Sequence, residues 1–466
     1  MVFAKKSKKG LIMWASKELK NTDFNDIRLR NRMEKILDDL TEQPTASIPQ
    51  ASGSPAATKA TYRFLNNENV AAQEIRKGFR LATIERMIES KEEVFLFPSD
   101  ATNIVYSSHK KLEGIGVLKN QKARGLNLHT TLVVTEQNLV LGSIQQHCWG
   151  RKPEDYGQRA LRANKPIEEK ESYRWIESFN ASQSALPDHR KGIFLGDRGA
   201  DIYDLFLIQR KPNMHLLIRA LHDRTLADES EKMFAHVEKS PCVGIMEVKI
   251  SRSGGRIERT AQVEIRYANV TVKSPQNKSL LPPINITIVC ATEIIKNADD
   301  KDPIRWRLLT TLPIDSLEKA IYAVSTYSKR WIIERYHYTL KQGCQVEELQ
   351  LEHAERIEKA VALYSIVACR IMYMTYLSRI SPDLPCTAVF SDDEWRALYC
   401  YANKTAREPK SPPNLRKAML MLAQIGGFIN RKNSEPGVKV IWTGMSKLEG
   451  ASEMYRILKG KDVGNV

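Results

Sequence analysis

The chain has 466 residues, and its 71 Lys and Arg against 55 Asp and Glu give a formal net charge of +16. Its composition, 42% hydrophobic and 27% charged, excludes wholesale disorder, collagen-like repeats and a coiled-coil rod. At about 150 residues per domain the length predicts roughly three domains, each large enough to bury an apolar core.

The sequence shows neither a membrane-spanning segment nor a cysteine motif. No stretch approaches roughly 18 consecutive apolar residues, and the apolar run behind the basic N-terminus is too short for a signal peptide. The seven cysteines are far apart and form no Cys-x-x-Cys pair, which predicts reduced thiols. We therefore expect a cytoplasmic protein without membrane contact, and the excess positive charge favours nucleic acid as its partner.

The N-terminal region is predicted to be helical and cationic. Residues 1–35 contain ten Lys and Arg and four acids, a local net charge of 10 − 4 = +6. Arg28 and Arg32 lie one helical turn apart, a spacing that suits phosphate or base-edge contacts. The alternative for such a pair is a solvated helix face. Residues 44–59 are rich in Pro, Ser, Gly and Ala and predict a loop or linker.

A tract of short apolar runs follows and predicts a mixed sheet covered by helices. Helical patterns run intermittently from Ala60 to about Lys91, and Pro98 is expected to end the first strand. A helix-like segment, 200–209, separates the last two strands. The predicted strands are 93–97, 128–135, 139–147, 192–195 and 215–219.

Residues 223–305 change in character and predict an antiparallel all-β insertion. Beyond them, 305–309 predicts another strand and 316–341 predicts one long helix. From about Glu352 the chain is predicted to be helical, with Pro-containing breaks. The β-branched or alternating runs of the insertion are 246–250, 260–266, 270–273 and 284–292.

Three acids occupy positions that suit metal binding. Asp100 and Asp197 each follow a predicted strand, and Glu334 lies within the predicted long helix. Three carboxylates without His or Cys partners suit Mg²⁺ or Mn²⁺. Two such ions can activate water or a 3′-hydroxyl against a phosphodiester. The alternative for either Asp alone is a turn former or a helix N-cap.

The helix around Glu334 aligns four chemically different side chains. At about 100° per residue, Tyr327, Arg330, Glu334 and Lys341 fall within a stripe about 60° wide. Lys341 is then roughly 10 Å beyond Glu334, which suits a neighbouring phosphate, and Arg330 can fork onto phosphate oxygens. The alternative is an amphipathic helix with a surface Arg–Glu pair worth a few tenths of a kcal/mol.

This Tyr-x2-Arg-x3-Glu-x6-Lys pattern resembles the signature of bacterial DDE transposases of the insertion-sequence-four superfamily. The segments Asp100-Ala-Thr and Asp197-Arg-Gly-Ala-Asp-Ile-Tyr resemble the two Asp motifs of that family, although Gly199 stands where a relative has an acid. The resemblance covers nearly the whole chain. Further similar segments are Asp26-x-Arg28-x3-Arg32, Ser47-Ile-Pro49, Ala60-Thr-Tyr-Arg-Phe64, Gly426-Gly-Phe428, Pro436-Gly437 and Trp442-x-Gly444.

The resemblance implies a multidomain α/β fold, in which a ribonuclease-H-like catalytic core with an inserted β domain is flanked by helical N- and C-terminal domains. A helical DNA-binding domain is expected at 1–75 and the catalytic domain at 76–378, with its β insertion at about 223–305. A helical dimerisation domain is expected at 379–466. That last domain would hold two copies together, so that each active site cuts the DNA end held by its partner.

The resemblance also implies roles for individual residues. Asp100, Asp197 and Glu334 would be catalytic and bind two Mg²⁺ ions, for which Mn²⁺ substitutes. Trp306 would stack on a flipped base during hairpin formation, although a Trp in a strand is more often part of the core. The other implied DNA contacts are Arg28, Arg32, Arg219, Tyr327, Arg330, Trp331 and Lys341.

The resulting hypothesis is a Mg²⁺-dependent cut-and-paste transposase of a bacterial insertion sequence. It would act as a homodimer in the nucleoid, on double-stranded DNA that includes the terminal repeats and the target. Each end would be nicked, closed into a hairpin, reopened and joined to target DNA. The main alternative is a catalytically inactive DNA-binding inhibitor of transposition. A ribonuclease-H-like repair nuclease is a third hypothesis.

Overall fold

The chain folds into two compact units, each assembled from separated stretches. Unit 1 comprises Met1–Lys91, Ala101–Gly157 and Glu334–Val466, and unit 2 comprises Glu92–Asp100 and Gln158–Ile333. The domain boundaries expected near 75 and 378 stay predictions. The computed structural model describes residues 14–118, 123–155, 165–250, 259–295, 303–431 and 434–460.

The protein is a mixed α/β fold with helical terminal regions. The helices are α1 (Trp14–Leu19), α2 (Ile27–Glu42), α3 (Ile48–Ser52), α4 (Pro55–Leu65), α5 (Ala72–Glu89), α6 (Tyr173–Ala185), α7 (Tyr203–Leu207), α8 (Met233–Lys239), α9 (Leu317–Ser328), α10 (Trp331–Tyr338), α11 (Ala354–Ile380), α12 (Asp392–Asn403), α13 (Leu415–Ile425) and α14 (Val438–Leu458). The strands are β1 (Val94–Val105), β2 (Gly116–Val117), β3 (Arg124–Thr135), β4 (Val140–Trp149), β5 (Lys191–Gly196), β6 (Met214–Arg219), β7 (Gly244–Ile250), β8 (Arg259–Val272), β9 (Ile284–Glu293) and β10 (Arg305–Thr310).

Unit 1 begins with helices α1 to α5, and α3 and α4 lie partly where the sequence predicted a loop or linker. Residues 44–59 are not a continuous linker, because α3 and the first turn of α4 lie within them. A capping box between Ser47 and Gln50 starts α3. Ser54 accepts a hydrogen bond from Ala57 N–H at the start of α4, where Pro55 is the first residue. Both are ordinary helix starts.

Helix α11 is the central helix of unit 1. It is long and apolar enough to cross a membrane by length and composition, but 83% of its most apolar window is buried inside the structure. Among the described residues it alone meets that test, and such burial is usual for a core helix. In the same unit β3 pairs antiparallel with β2 and with β4, and α12, α13 and α14 form the C-terminal helical region.

Unit 2 contains the strand order β1-β5-β6-β10-β9-β8-β7. The first three strands are parallel and the remainder pair antiparallel. The antiparallel strands predicted within 223–305 are present, and β9 joins them to the rest of the sheet through β10. The segment is not all-β, because it also contains helix α8, on which Met233 and Val237 are buried. The runs predicted at 260–266 and 270–273 form the single strand β8.

Two further expectations are wrong in unit 2. Strand β1 continues beyond Pro98 to Val105, so Asp100 lies inside a strand rather than after one. Pairing of β1 with β5 ends at Pro98, and a residue without an N–H is tolerated where a ladder ends. The helix predicted at 316–341 is also interrupted. The N–H groups of Lys329 and Arg330 bond three residues back, α10 restarts at Trp331, and a π-helix covers Thr339–Gly343.

Candidate active site

Asp100, Asp197 and Arg219 occupy matched positions on three neighbouring parallel strands, just beyond the point where β5 stops pairing with β1 and β6. Strands β1 and β5 last pair at Pro98 and Leu195, so Asp100 and Asp197 each lie two residues further along. Strands β5 and β6 last pair at Gly196 and Ile218, so Asp197 and Arg219 are each the next residue. Because neighbouring strands are about 4.8 Å apart, two carboxylates and one guanidinium converge on one edge of the sheet.

The carboxylate of Asp197 begins a short helical turn. Gly199 N–H donates to Asp197 Oδ1 at 2.7 Å, and Asp197 is the N-cap of the 3₁₀ segment Arg198–Ala200. The capping role that the sequence left open is therefore present. This hydrogen bond leaves other acceptor sites of the carboxylate available, because a carboxylate has two oxygens and about four acceptor sites.

Gly199 occupies a crowded place in this turn. A Cβ atom there would lie 3.0 Å from Asp197 Oδ1 and 3.3 Å from Trp175 Cζ2. Contacts this short require the indole or the carboxylate to shift. The absence of an acid at this position therefore matches the packing of this loop against Trp175.

Arg330 forms an ion pair with the first of the two aspartates. Its Nη1 lies 3.1 Å from Asp100 Oδ2, and both side chains are largely buried, at 14% and 20% exposed. The structure brings the Arg330 guanidinium onto Asp100, so this cation and this acid occupy the same site. The contact of Arg330 with a phosphate stays a prediction.

Tyr327 and Trp306 form an aromatic pair beside these charges. Their ring centroids are 5.4 Å apart at an interplanar angle of 72°, an edge-to-face geometry. Tyr327 is buried and Trp306 is half-buried. Burial raises the pKa of the Tyr327 phenol, and the nearby cations of Arg330 and Arg219 partly oppose this shift. The phenol therefore stays protonated at neutral pH and can donate a hydrogen bond.

Arg219 completes the charged group in unit 2. Burial lowers its pKa, and the neighbouring cations of Arg198 and Arg330 lower it further, whereas the charge of Asp197 acts in the opposite direction. A guanidinium remains charged throughout the physiological pH range. Two half-buried cations, Arg219 and Arg330, thus accompany the two aspartates.

The residues present fit a divalent cation only in part. Asp100 and Asp197 supply the hard oxygen donors that Mg²⁺ and Mn²⁺ prefer, at register-matched positions. In the part of the chain that the structure describes, no three His, Cys, Asp or Glu side chains form a group that could hold a metal ion. Glu334 is half-buried on α10, and its place as a third ligand remains a proposal.

Three segments of the chain match known protein families. Residues 176–370 match the family model described as transposase DDE domain. Residues 12–70 match transposase DNA-binding, and 366–460 match the transposase Tn5 dimerisation domain. Together the three matches support a DDE transposase. Asp197, Arg219 and the residues from Trp306 to Lys341 lie inside the DDE match, while Asp100 lies between two matched segments.

These matches assign general roles to parts of the transposase. They support an enzyme that binds DNA, cleaves it and transfers strands, and that forms a homodimer. They do not assign a role to any single side chain.

The regular helix face predicted for Tyr327, Arg330, Glu334 and Lys341 is interrupted before it reaches Lys341. Lys341 lies in the π-helix of unit 1, where its Nζ donates to Asn103 O at 2.9 Å and pairs with Glu347 at 3.0 Å. Trp331 is 36% exposed at the start of α10. The single stripe expected from a regular helix is wrong, because the chain turns at 329–330 and then widens into a π-helix.

The two arginines predicted in the N-terminal region both lie on α2, inside the DNA-binding match. The Arg28 side chain is 87% exposed and pairs with Asp26, whose carboxylate also caps the helix. Arg32 is half-buried. Their position on one helix, four residues apart, is as predicted.

Asp201 and Arg224 form a buried ion pair in unit 2 that the sequence did not predict. Their side chains are 0% and 7% exposed, with Asp201 Oδ1 2.6 Å from Arg224 Nη2. The only signal was the place of Asp201 in the second Asp motif. Nothing in the sequence pointed to Arg224, because its partner is 23 residues away.

Proposed function

We propose that this transposase moves a bacterial insertion sequence by a cut-and-paste reaction at its two DNA ends. The observation that carries the proposal is the row of Asp100, Asp197 and Arg219 just beyond the paired part of β5, with Arg330 paired to Asp100. Acids beside partly buried arginines suit a reaction at a phosphodiester, where an attacking group must be activated and negative charge must be stabilised.

The proposed metal ligands are Asp100, Asp197 and Glu334. Two Mg²⁺ ions, or Mn²⁺ in their place, would supply Lewis-acid chemistry there and offset the charge that develops on the phosphate. Each end would be nicked by water, and the freed 3′-hydroxyl would attack the opposite strand to close a hairpin. Hydrolysis of the hairpin would restore the 3′-hydroxyl for joining to target DNA.

The chain's own cations would hold the reacting phosphate. Arg330 and Arg219 both carry planar guanidinium groups, which bind phosphate oxygens in a bidentate manner. In the proposal Arg330 exchanges Asp100 for a phosphate when DNA enters. The protonated phenol of Tyr327 donates a further hydrogen bond.

Trp306 is proposed to stack on a base that leaves the duplex as the hairpin forms. The residue is half-buried and is held edge-to-face by Tyr327, so its orientation is fixed. Stacking on an aromatic ring recovers part of the cost of flipping a base. Trp331, which is exposed, is proposed to contact the terminal bases.

Binding of the DNA end is proposed to extend to other basic residues. Arg28 and Arg32 of α2 would contact the terminal repeat, and Lys341 would bind a phosphate near the cut after leaving Glu347. A homodimer would bring two ends together, as the dimerisation match supports. The proposal places the protein in the bacterial cytoplasm, on the nucleoid.

Cleavage of a supercoiled plasmid that carries the element's own two ends tests this proposal. Wild-type protein should release hairpin-ended fragments with Mg²⁺ and none without it. The Glu334→Gln variant should bind the ends and leave them uncut. Glu435→Gln, which removes an acid paired with Arg416 near the surface, is the matched control and should cleave normally. Full activity of Glu334→Gln overturns the assignment, and end binding without any strand break by wild type supports the inhibitor alternative.

A further inference from the structure

Asp201 ends the short turn that Asp197 begins. Ala200 N–H donates to Asp197 O at 3.1 Å and Asp201 N–H donates to Arg198 O at 3.3 Å, so the two acids bracket one 3₁₀ turn. The turn packs closely on the sheet, because a Cβ at Gly196 would lie 2.4 Å from Ala200 Cβ and 2.9 Å from Ile218 Cδ1. Asp201 itself is 3% exposed.

The carboxylate of Asp201 binds the segment that leaves β6. Its Oδ2 accepts the N–H groups of Leu221 at 2.7 Å and His222 at 2.8 Å. Its Oδ1 pairs with Arg224 at 2.6 Å. The Arg224 guanidinium lies over the Phe206 ring, 6.0 Å from its centroid. Both oxygens of this buried carboxylate therefore fasten the residues directly after the strand that carries Arg219.

These contacts join two groups that the proposed reaction uses. Asp197 follows β5 and Arg219 ends β6, and the register of these strands makes them neighbours. Asp197 lies just beyond the last pair of β5 with β6. Arg219 still pairs with Leu308 of β10, and Ala220 N–H donates to Arg307 O at 2.7 Å, so β10 holds β6 on its other side but does not hold the loop after β5. Asp201 is the side chain that connects the loop after β5 to the loop after β6.

We propose that Asp201 is a positioning residue that fixes the spacing between the Asp197 carboxylate and the Arg219 guanidinium. This inference rests on the proposed function, in which Asp197 binds metal and Arg219 binds the phosphate at that metal. Partners that orient metal ligands commonly matter by about 10- to 100-fold in metal affinity or activity. Asp201 touches neither metal nor DNA in this account and acts only through the two loops.

Two double variants separate positioning from simple stability. Asp201→Asn with Arg224→Gln removes both buried charges but keeps an acceptor oxygen for Leu221 and His222. Asp201→Leu with Arg224→Gln removes the same charges and that acceptor. The matched control is Glu18→Leu with Arg86→Gln, which removes another partly buried ion pair, in unit 1.

The readout is the Mn²⁺ concentration that gives half-maximal plasmid cleavage, together with the affinity for an uncut DNA end. We expect Asp201→Leu/Arg224→Gln to need about 10- to 100-fold more Mn²⁺. The Asn/Gln variant and the unit 1 control should stay within about threefold of wild type, since neither loses the loop contact. End binding should change little in all of them.

A milder variant keeps the proposal testable if the Leu/Gln protein does not fold. Asp201→Glu retains the charge for Arg224 but moves the acceptor by about one methylene, and displacements near 1 Å can cost about 100-fold. A folded Asp201→Glu or Leu/Gln variant with the Mn²⁺ dependence of wild type overturns the inference. Absence of metal-dependent cleavage by wild type itself overturns the proposed function instead.

Discussion

Two groups of acidic residues in this protein have opposite surroundings. In unit 2, Asp100 faces Arg330, Asp197 accepts Gly199 N–H, and Asp201 is paired with Arg224. In unit 1, acids on α2 lie close together in the core. Burial raises the pKa of Asp38 to about 7 and that of Asp39 to about 6. Burial and the charge of Glu449, its hydrogen-bonded partner on α14, also raise the pKa of Glu42.

The comparison shows that partners decide what a carboxylate can do. Arginine and backbone N–H groups stabilise a negative charge and so prepare a carboxylate to hold a cation. Burial without such partners favours the protonated form. Asp38 illustrates this, because its Oδ2 has no hydrogen-bond partner among the described residues. The same residue type therefore suits metal binding in unit 2 and proton binding in unit 1.

The largest expected effect comes from neutralising Asp100 or Asp197. Asp100→Asn or Asp197→Asn should reduce plasmid cleavage by about 1,000-fold or more, since several kcal/mol of metal-dependent stabilisation would be lost. Binding of the DNA end should persist. Asp188→Asn, an exposed acid of unit 2, is the control and should cleave as wild type does. Cleavage within about tenfold of wild type by both Asp100→Asn and Asp197→Asn contradicts the comparison.

Removing the cation that faces Asp100 should have the next largest effect. Arg330→Ala should slow cleavage by about 100-fold, the order of magnitude for loss of one charge-stabilising donor. Arg330→Lys should recover only part of the rate, because an ammonium lacks the bidentate fork. Single-turnover cleavage of a pre-bound end gives these rates. Equal rates for Ala, Lys and wild type would show that the ion pair has no role at the phosphate.

Replacing the aromatic ring should separate two steps of the reaction. Trp306→Ala should retain nicking but lose hairpin formation by about 5- to 150-fold, since stacking on an aromatic ring is worth about 1–3 kcal/mol per base. Trp306→Phe should keep most of the hairpin yield. The ratio of hairpin to nicked product on a labelled DNA end measures the effect. An unchanged ratio in Trp306→Ala assigns this residue to the core alone.

The acids on α2 in unit 1 should make the free energy of unfolding depend on pH, and they should have no effect on DNA cleavage. Folded Asp38 keeps its proton up to about pH 7, whereas the unfolded chain loses it near pH 4. The free energy of unfolding should therefore fall as pH rises between these values. Arg370, which opposes the shift, and Glu34, Asp39 and Glu394, which support it, are the charges that act on Asp38.

Asp38→Asn tests this pH dependence. Between about pH 5 and about pH 8, the free energy of unfolding measured with urea should fall less in the variant than in wild type. The two decreases should differ by about 2–4 kcal/mol. Asp39 and Glu42 should still contribute a slope of the same sign. A slope identical to that of wild type would show that the surroundings of Asp38 do not favour its protonated form.

Local sequence patterns predicted many of the helices and strands, but few of the contacts between strands or between charged side chains. Apolar runs located β5, β9 and β10, and Asp197 directly follows β5 as expected. Strand β1 continues beyond Pro98 although its pairing with β5 ends there; its other neighbour in the sheet is β3, and no local signal reveals that pairing. The break at 329–330 was hidden by a helical pattern on both sides. The Arg330–Asp100 and Asp201–Arg224 pairs depend on tertiary contacts between segments, so composition and spacing could not predict them.

Mn²⁺ binding to the protein on an uncut DNA end, followed by electron paramagnetic resonance, tests the central claim most directly. Wild type should bind Mn²⁺, and Asp100→Asn and Asp197→Asn should each lose that binding while they retain the DNA. Binding of Mn²⁺ by both variants as tightly as by wild type would contradict the claim that the carboxylates of Asp100 and Asp197 hold the metal.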